Sequence, residues 1–391
     1  MNVLLRWSGA VIVGTLAACS SAPPLPTESL PGPSIATPGG VPTEGAAATR
    51  RDDDRPLPAV RVQARSRWVP VRWSELPGFD QDALHEAWNA WIRSCERPAP
   101  GWSGLCPQVR QLSIASGAEQ RQWMVRHLQP YRVEPLQAAE PGLLTAYYEP
   151  VMDASRQPTA THRVPLYRPP ADLGRRKPWF TRQEMDTLPE AQAALRGREI
   201  AWLANPVDAL ILQIQGSGRM RITEPDGRVN TVRLAYAGTN DHPYRSVGTW
   251  LLQQGAVRDA TWPGIKAWVA ANPQRVQEML WANPRMVFFR EESLGEFEAA
   301  FGPRGAQGVP LTPGRSIAVD RESIPYGTPV WLASSGPQVS LQRLVLAQDT
   351  GSAIVGAVRA DYFAGWGDAA GDMAGRLMQP LRLWVLWPRV P

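Results

Sequence analysis

A series of short β-prone runs, bounded by glycine, proline, asparagine or aspartate, occupies most of the chain after Pro141. Runs of this length with turn residues between them are typical of strands. They fall at residues 143–148, 163–167, 210–214, 219–222, 229–235, 285–290, 316–319, 329–332, 343–347 and 382–387. Because these strands do not alternate regularly with helices, the pattern predicts a mainly β protein and not a βαβ protein.

Helical spacing is confined to a few segments, which we expect to be additions to the β structure. Within residues 80–95, apolar side chains recur at three- and four-residue steps, which indicates an amphipathic helix. A second helix is predicted at 118–128, since it must end before Pro130. Helical spacing returns at 248–254 and in two tryptophan-containing stretches between residues 264 and 282.

The first residues predict an anchored, exported protein. Residues 1–19 combine a positive start, a short apolar core and a Leu-Ala-Ala-Cys ending, which is the pattern of a lipoprotein signal peptide with Cys19 as the lipidated residue. An ordinary secretory signal with an incidental cysteine is the alternative. Ser20 after the cysteine favours an outer-membrane lipoprotein facing the periplasm, held in the inner leaflet by acyl chains. Residues 20–58 read as a disordered tether, because they contain few large apolar residues.

Two cysteines remain after such processing. Cys95 and Cys106 could form a disulfide in an oxidising compartment, with free buried thiols as the alternative. The four histidines are scattered without ligand spacing, so we predict no metal site and no cofactor. The net charge of +5 comes without a dense basic block, which argues against a nucleic-acid partner. The 17 tryptophans offer faces for sugar rings, although most are expected in the core.

Asp349 and Asp361 are the leading catalytic candidates. They lie 12 residues apart, each beside an apolar run or a glycine-rich turn. A carboxyl group that is partly desolvated near a second carboxylate has a raised pKa, and it can donate a proton to a leaving oxygen. On pattern alone, a single aspartate in a glycine-rich turn is commonly structural, and this interpretation is the favoured one. The Asp-Thr-Gly triplet also occurs in aspartic proteases, but no second catalytic turn of that kind is visible.

Several blocks in fixed order carry a family resemblance. They comprise residues 144–150, 213–218, 236–240, 244–248, 283–289, 320–328 and a final segment from Asp349 through Asp361 to Gly375. Together they resemble the membrane-bound lytic murein transglycosylase A (MltA) family with its C-terminal 3D domain. The chain departs from the usual family pattern at Ser352, Val355 and Glu149.

The resemblance implies a fold and a domain plan. The family's fold implies a double-psi β-barrel catalytic domain, an inserted second β-rich domain and some helical additions. In this numbering, residues 59–150 would hold helices and the first part of the barrel. Residues 151–285 would form the inserted domain, and residues 286–391 the second part of the barrel.

The resemblance also implies an activity. Such an enzyme is a peptidoglycan lytic exotransglycosylase. It cleaves the β-1,4 bond between N-acetylmuramic acid and N-acetylglucosamine and leaves 1,6-anhydromuramic acid. The family's single acid falls on Asp361, with Asp349 as the partner that sets its proton affinity. Expected partners are peptidoglycan glycan strands and possible wall-synthesis proteins, and nothing in the sequence calls for more than a monomer.

Polar and aromatic residues in the same blocks are candidate substrate contacts. These are Thr145, Tyr147, Tyr148, Gln213, Gln215, Ser217 and Tyr236. Because Gln213 and Gln215 alternate around Ile214, we expect both on one face of a strand. A solvated strand face is the alternative interpretation.

Two other functions remain open at this stage. A true glycoside hydrolase would use Asp349, Glu149 or Asp320 as a second working carboxylate, since hydrolysis usually needs two. A non-catalytic wall-binding lipoprotein would keep the groove alone, and the presence of both Asp349 and Asp361 argues against it.

Overall fold

The computed structural model describes residues 54–137, 141–337 and 339–389. The predicted signal peptide with Cys19, and the predicted tether up to residue 53, lie outside the described residues. Within the described part of the chain, we find no helix that is both long and apolar enough to cross a membrane.

Strands and helices are numbered in chain order. The strands are β1 (Arg61–Val62), β2 (Ser66–Pro70), β3 (Leu128–Pro135), β4 (Leu143–Glu149), β5 (Val151–Ser155), β6 (Val164–Tyr167), β7 (Glu199–Leu203), β8 (Ser217–Thr223), β9 (Val229–Thr239), β10 (Val287–Ser293), β11 (Ser316–Val319), β12 (Pro329–Ser335), β13 (Ser340–Asp349), β14 (Arg359–Trp366) and β15 (Met378–Pro388). The α-helices are α1 (Leu84–Ser94), α2 (Cys106–Gln111), α3 (Gly117–His127), α4 (Arg182–Thr187), α5 (Pro189–Leu195), α6 (Pro206–Gln215), α7 (Val247–Gln253), α8 (Trp262–Ala271), α9 (Val276–Trp281), α10 (Glu296–Ala299) and α11 (Gly367–Arg376).

The larger sheet closes on itself. Its order is β1-β2-β3-β15-β12-β13-β11-β14-β4, and β4 also pairs with β15, so six of its strands form a closed ring. Apolar side chains fill the inside of this barrel, among them Leu144, Ile317, Val345, Ala360, Tyr362 and Val385. The prediction of a mainly β protein with helical additions is confirmed.

The smaller sheet is built from the chain between β4 and β11. Its order is β10-β9-β8-β5-β7-β6, and its strands run from Val151 to Ser293. Its core contains Leu166, Ile200, Leu212, Ile222, Leu234 and Phe289. Because this segment separates β4 from β11, the barrel is assembled from two distant parts of the chain.

The first predicted helix is shorter than expected at its start. Helix α1 begins at Leu84, and residues Phe79–Gln81 form a separate 3-10 turn. The buried face of α1 carries Trp88 and Trp91, which pack with other tryptophans against the barrel. Helix α3 covers nearly the predicted range, and Ser116 and Glu119 close its first turn with a capping box.

The predicted strand at 210–214 is wrong, because this segment belongs to helix α6. Asn205 accepts a hydrogen bond from the Val207 backbone N–H at 2.8 Å, and Gly216 ends the helix with φ of +81°. Apolar residues on this helix pack into two different cores, so its sequence has the continuous apolar run of a buried strand. Gln213 and Gln215 therefore do not share a face, since two residues of an α-helix turn through about 200°.

A disulfide joins Cys95, just after α1, to Cys106, the first residue of α2. Both sulfurs are buried in the tryptophan-rich core that packs α1, α2 and α3 on the barrel. The tryptophans Trp88, Trp91 and Trp102 are nearly inaccessible to solvent, so they serve the core and are not free to stack on a sugar.

A buried ion cluster connects the two sheets. Glu149, the last residue of β4, is fully buried, and its two oxygens accept from Arg219 at 2.8 Å and from Arg233 at 2.6 Å. Both arginines also donate to the backbone oxygen of Phe301, and the Arg219 guanidinium lies 3.7 Å from the centre of the Trp366 ring. Glu149 and Trp366 belong to the barrel and the arginines to the smaller sheet, so this cluster fixes one sheet against the other.

Replacing Glu149 by glutamine tests the importance of this cluster. We expect Glu149→Gln to lower the free energy of unfolding by about 3–5 kcal/mol, because two guanidinium groups would remain buried without a counter-charge. The measurement is denaturant unfolding of the purified protein. Asp153→Asn is the matched control. It breaks the exposed pair with Arg221, which should cost less than about 1 kcal/mol. Equal losses of unfolding free energy in the two variants would contradict the stabilising role of the Glu149 cluster.

Candidate active site

Strands β4 and β14 bring the predicted acid to its neighbours. The two strands are parallel, and Asp361 lies opposite Thr145 while Phe363 lies opposite Tyr147. The flanking residues Ala360 and Tyr362 point into the barrel core. Because side chains alternate along a strand, Asp361 lies on the outer face of the barrel wall.

Asp361 is held by a hydroxyl and sits near a cation. The Thr145 Oγ1 donates a short hydrogen bond to Asp361 Oδ1, and it accepts one from Arg359 Nη2 at 2.9 Å. The Asp361 carboxyl is partly buried, and this loss of water raises its pKa above the ordinary aspartate value. The Thr145 hydrogen bond and the Arg359 charge oppose this rise without cancelling it.

Asp349 lies at the end of β13 and accepts from two other segments. Tyr147 Oη donates to its Oδ2 at 2.8 Å, and the Ala306 backbone N–H donates to its Oδ1 at 2.9 Å. Burial and the Asp361 charge raise the Asp349 pKa, whereas hydrogen bonds from Tyr147, Thr350 and Ala306 lower it. Burial beside Asp349 also raises the Tyr147 pKa well above its usual range, so the phenol keeps its proton and remains a donor.

The two glutamines have their carbonyl oxygens engaged by the protein. Gln215 Oε1 accepts from the Tyr148 backbone N–H at 3.0 Å, next to the Tyr147 that binds Asp349. Gln213 Oε1 accepts from Arg182, a buried guanidinium that also donates to two backbone oxygens. Burial lowers the Arg182 pKa to about 10. In the described part of the chain, neither glutamine Nε2 has a hydrogen-bond acceptor.

The other predicted contacts lie farther along the second sheet. Ser217 begins β8, is buried, and pairs with Ala235 of β9. Tyr236 follows on β9 with about half of its surface exposed. No hydrogen bond among the described residues joins either side chain to Asp349 or Asp361. The structure thus brings together Thr145, Tyr147 and the two aspartates, with Gln215 one backbone step away.

A cavity of about 350 Å³ opens beside Tyr148, on the other side of β4 from Tyr147. Its walls come from β4, β5, α6, α8 and α11 and include Met152, Asp208 and Asp368. Lys266 in its wall pairs with Asp208 at 2.7 Å. Neither Asp349 nor Asp361 lines this cavity, so it is separate from the aspartate pair.

Two carboxylates considered as alternatives are occupied elsewhere. Both oxygens of Glu149 are bound by the buried arginines described above. Asp320 accepts from the backbone N–H groups of Glu322 and Gly356, each at 3.0 Å, and so holds a turn. Of the three carboxylates considered as a second acid, Asp349 is the one that interacts with Asp361.

Sequence reasoning missed three groups that shape the site. Arg359 was detectable, because a residue two positions before Asp361 on a strand shares its face. Arg182 and the Ala306 N–H carried no such signal. They approach from segments far away in the sequence, and only the tertiary fold brings them to Gln213 and Asp349.

Two family models together match most of the residues that the structure describes. The MltA specific insert domain matches residues 143–290, and the 3D domain matches residues 315–387. The first of these segments contains β4, with Thr145 and Tyr147, the strands β5–β9 and the start of β10. The second contains both Asp349 and Asp361.

Known proteins give the same assignment. The membrane-bound lytic murein transglycosylase A of Vibrio cholerae is 33% identical over 256 residues. The match covers 62% of this chain and 65% of that protein, so the chain spans just under two thirds of this relative. A solved lytic transglycosylase, LtgG, of Burkholderia pseudomallei is 42% identical with a TM-score of 0.58, covering 86% of this chain and 98% of that one. MltA from Neisseria gonorrhoeae is 29% identical with a TM-score of 0.71, covering 85% of this chain and 96% of that one. The chain belongs to the MltA family, with the family's insert domain followed by a C-terminal 3D domain.

Proposed function

We propose that this protein is a lytic transglycosylase that cleaves the β-1,4 bond between N-acetylmuramic acid and N-acetylglucosamine in peptidoglycan. The product is 1,6-anhydromuramic acid, and a single residue, Asp361, serves as general acid and then general base. The observation that carries this proposal is the Asp361 carboxyl, held by Thr145 and raised in pKa beside a second, better hydrogen-bonded aspartate. The names of the relatives support the same reaction class.

The different hydrogen bonding of the two aspartates is the basis on which we assign the proton. Asp349 accepts from the Tyr147 hydroxyl and from the backbone N–H groups of Ala306 and Thr350, all of which favour its ionised form. Asp361 accepts from the Thr145 hydroxyl and is partly buried. Burial raises the pKa of both carboxyls, and neighbouring carboxylates oppose each other's ionisation, so the pair favours a state with one shared proton. We assign that proton to Asp361, which accepts fewer hydrogen bonds.

The reaction then needs only one acid and no water. Asp361 donates its proton to the glycosidic oxygen as the bond from that oxygen to C1 of the muramic ring breaks. The Asp361 carboxylate next accepts the proton of the C6 hydroxyl, whose oxygen forms the new bond to the same C1. The nucleophile belongs to the reacting sugar, so proximity supplies much of the rate. The Asp349 carboxylate offsets positive charge that develops on the ring.

The glutamines are suited to donate to the substrate. Since protein donors engage the Oε1 of Gln213 and of Gln215, their Nε2 groups remain for acetamido carbonyl and hydroxyl oxygens. We assign Thr145 and Tyr147 to the floor of the site and Tyr148, Ser217 and Tyr236 to its flanks. An exo-acting enzyme on glycan strands is the form of activity we propose.

The proposal also covers the type of β-barrel and the cellular location of the protein. The ring of six strands contains two parallel pairs, β4 with β14 and β11 with β13, which support a double-psi β-barrel. Residues 151–285 would be the inserted domain. We propose a monomeric outer-membrane lipoprotein that faces the periplasm, is lipidated at Cys19 and meets wall-synthesis proteins at the glycan.

Product analysis tests the reaction and its acid. Peptidoglycan digested with the protein should give anhydromuropeptides by mass spectrometry, and Asp361→Asn should reduce their formation by at least about 10²-fold, the usual contribution of a general acid. Asp226→Asn, a change of the same kind in the exposed β8–β9 turn, should keep full activity. Products one water heavier, with reducing muramic ends, would establish a hydrolase instead.

The coupling of the two aspartates predicts a change in the pH profile. Activity of the native protein should fall at low pH as Asp349 gains a proton and at high pH as Asp361 loses one. The charges of the two aspartates oppose each other, so in this proposal Asp349→Asn removes a charge that disfavours ionisation of Asp361. The alkaline limb of kcat should therefore move to lower pH, and the acid limb should disappear. An alkaline limb at its original position would refute this coupling.

Lipidation can be tested by fractionation. The full-length protein should sediment with outer membranes, while Cys19→Ala should appear in the soluble periplasmic fraction because it lacks the acyl chains. Metabolic labelling with a fatty acid provides the direct measurement. Label on the Cys19→Ala variant would contradict the assignment.

A further inference from the structure

A buried polar network lies behind Asp349, on the side away from Asp361 and Tyr147. Ser94, the last residue of α1, donates from its Oγ to Gln307 Oε1 at 3.1 Å and accepts from Gln348 Nε2 at 2.8 Å. Gln307 and Gln348 are buried, and each directly precedes or follows a residue of the acid site in the chain. Gln348 is next to Asp349, and Gln307 is next to Ala306.

Every polar atom of the two glutamine side chains is engaged. Gln307 Nε2 donates to the backbone oxygens of Ser94 at 3.2 Å and of Arg97 at 2.9 Å. Gln348 Nε2 also donates to the Ala90 oxygen at 2.9 Å, and its Oε1 accepts from Ser316 Oγ. A fully satisfied network of this kind has one preferred geometry, because breaking any bond leaves a buried polar atom without a partner.

The network fixes the loop that donates to Asp349. The Gln307 backbone N–H donates to the Gln348 oxygen at 3.0 Å, and the neighbouring Ala306 N–H donates to Asp349 Oδ1 at 2.9 Å. The loop approaches so closely that a Cβ on Gly305 would lie 2.5 Å from the Gln348 oxygen. Small displacements of Gln307 would therefore move the Ala306 N–H relative to the carboxylate.

The base of the network is the disulfide-linked end of α1. Ser94 immediately precedes Cys95, which is bonded to Cys106, and Arg97 lies two residues beyond that cysteine. The carbonyl oxygens of Ser94 and Arg97 that hold Gln307 thus flank the covalent link. This geometry connects a covalently fixed turn, outside both sheets, to the aspartate pair.

We propose that Ser94, Gln307 and Gln348 are positioning residues that hold the Ala306 N–H on Asp349 and so favour its carboxylate form during the reaction. This inference rests on the proposed function and deepens it. The described ionisable groups that face Asp349 are Tyr147 from β4 and Asp361 from β14, and neither belongs to the network. The α1 segment therefore contributes to the reaction without contacting the substrate.

Gln307→Met is the decisive variant, because methionine has a similar length and forms none of these hydrogen bonds. Displacing the Ala306 N–H weakens a hydrogen bond that favours the Asp349 carboxylate, so the acid limb of kcat should move to higher pH. KM and the alkaline limb should keep their wild-type values. The reaction followed is release of anhydromuropeptides from purified peptidoglycan between pH 4 and pH 9.

Gln379→Met is the matched control. Gln379 is also a buried glutamine that bridges a hydroxyl and a carbonyl oxygen, those of Ser334 and Val339, but it has no bond to the Asp349 loop. We expect a comparable loss of unfolding free energy and an unchanged acid limb. If Gln307→Met does not fold, Ser94→Ala removes two bonds of the network, one of them to Gln307, and should shift the limb in the same direction.

The outcomes separate the two proposals. An acid limb that stays in place in a folded Gln307→Met or Ser94→Ala variant, or that shifts equally in Gln379→Met, overturns the positioning role and leaves the proposed function intact. Wild-type protein that forms no anhydromuropeptides overturns the proposed function, and the positioning role falls with it.

Discussion

One face of strand β4 organises the structure around it. Its alternate side chains Thr145, Tyr147 and Glu149 point the same way, and each holds a different ionised or ionisable partner. Thr145 binds Asp361, Tyr147 binds Asp349, and Glu149 binds the two arginines of the smaller sheet. A single strand thus sets the positions of both aspartates and of the second sheet relative to them.

The three carboxyl groups at this face of β4 are stabilised by different physical means. Glu149 is fully buried and depends on direct charge pairing, since a buried carboxylate without cations would be very unfavourable. Asp349 accepts hydrogen bonds from neutral donors, which favour its charge and oppose the effect of burial. Asp361 accepts from the Thr145 hydroxyl and lies near the Arg359 charge, and burial still raises its pKa. The three carboxyl groups therefore differ in their hydrogen-bond and charge partners, although all three meet at the same face of β4.

Much of this arrangement was accessible from the sequence, and the reasons for the exceptions are physical. Strands such as β11 and β4 were predicted at or within one residue of their bounds, because turn residues border short apolar runs there. Helix α6 was missed because it is buried on two sides, which removes the periodicity that marks an amphipathic helix. The Asp349 and Asp361 pair was predicted from spacing and family resemblance. The pairing of Glu149 was not, since Arg219 and Arg233 lie 70 and 84 residues away and nothing local indicates the contact.

The closure of the barrel by β4 has a consequence for how the protein folds. Thr145 and Asp361 are separated by 216 residues, and the strands between β5 and β10 form a sheet of their own. Contacts between distant segments form slowly, because the entropy of loop closure is lost before the contact compensates for it. The smaller sheet can form while β14 is still absent, whereas the hydrogen bond between Thr145 and Asp361 requires both. We therefore expect the aspartate pair to assemble late in folding. Chains that are incomplete or cleaved before β14 lack Asp361 altogether.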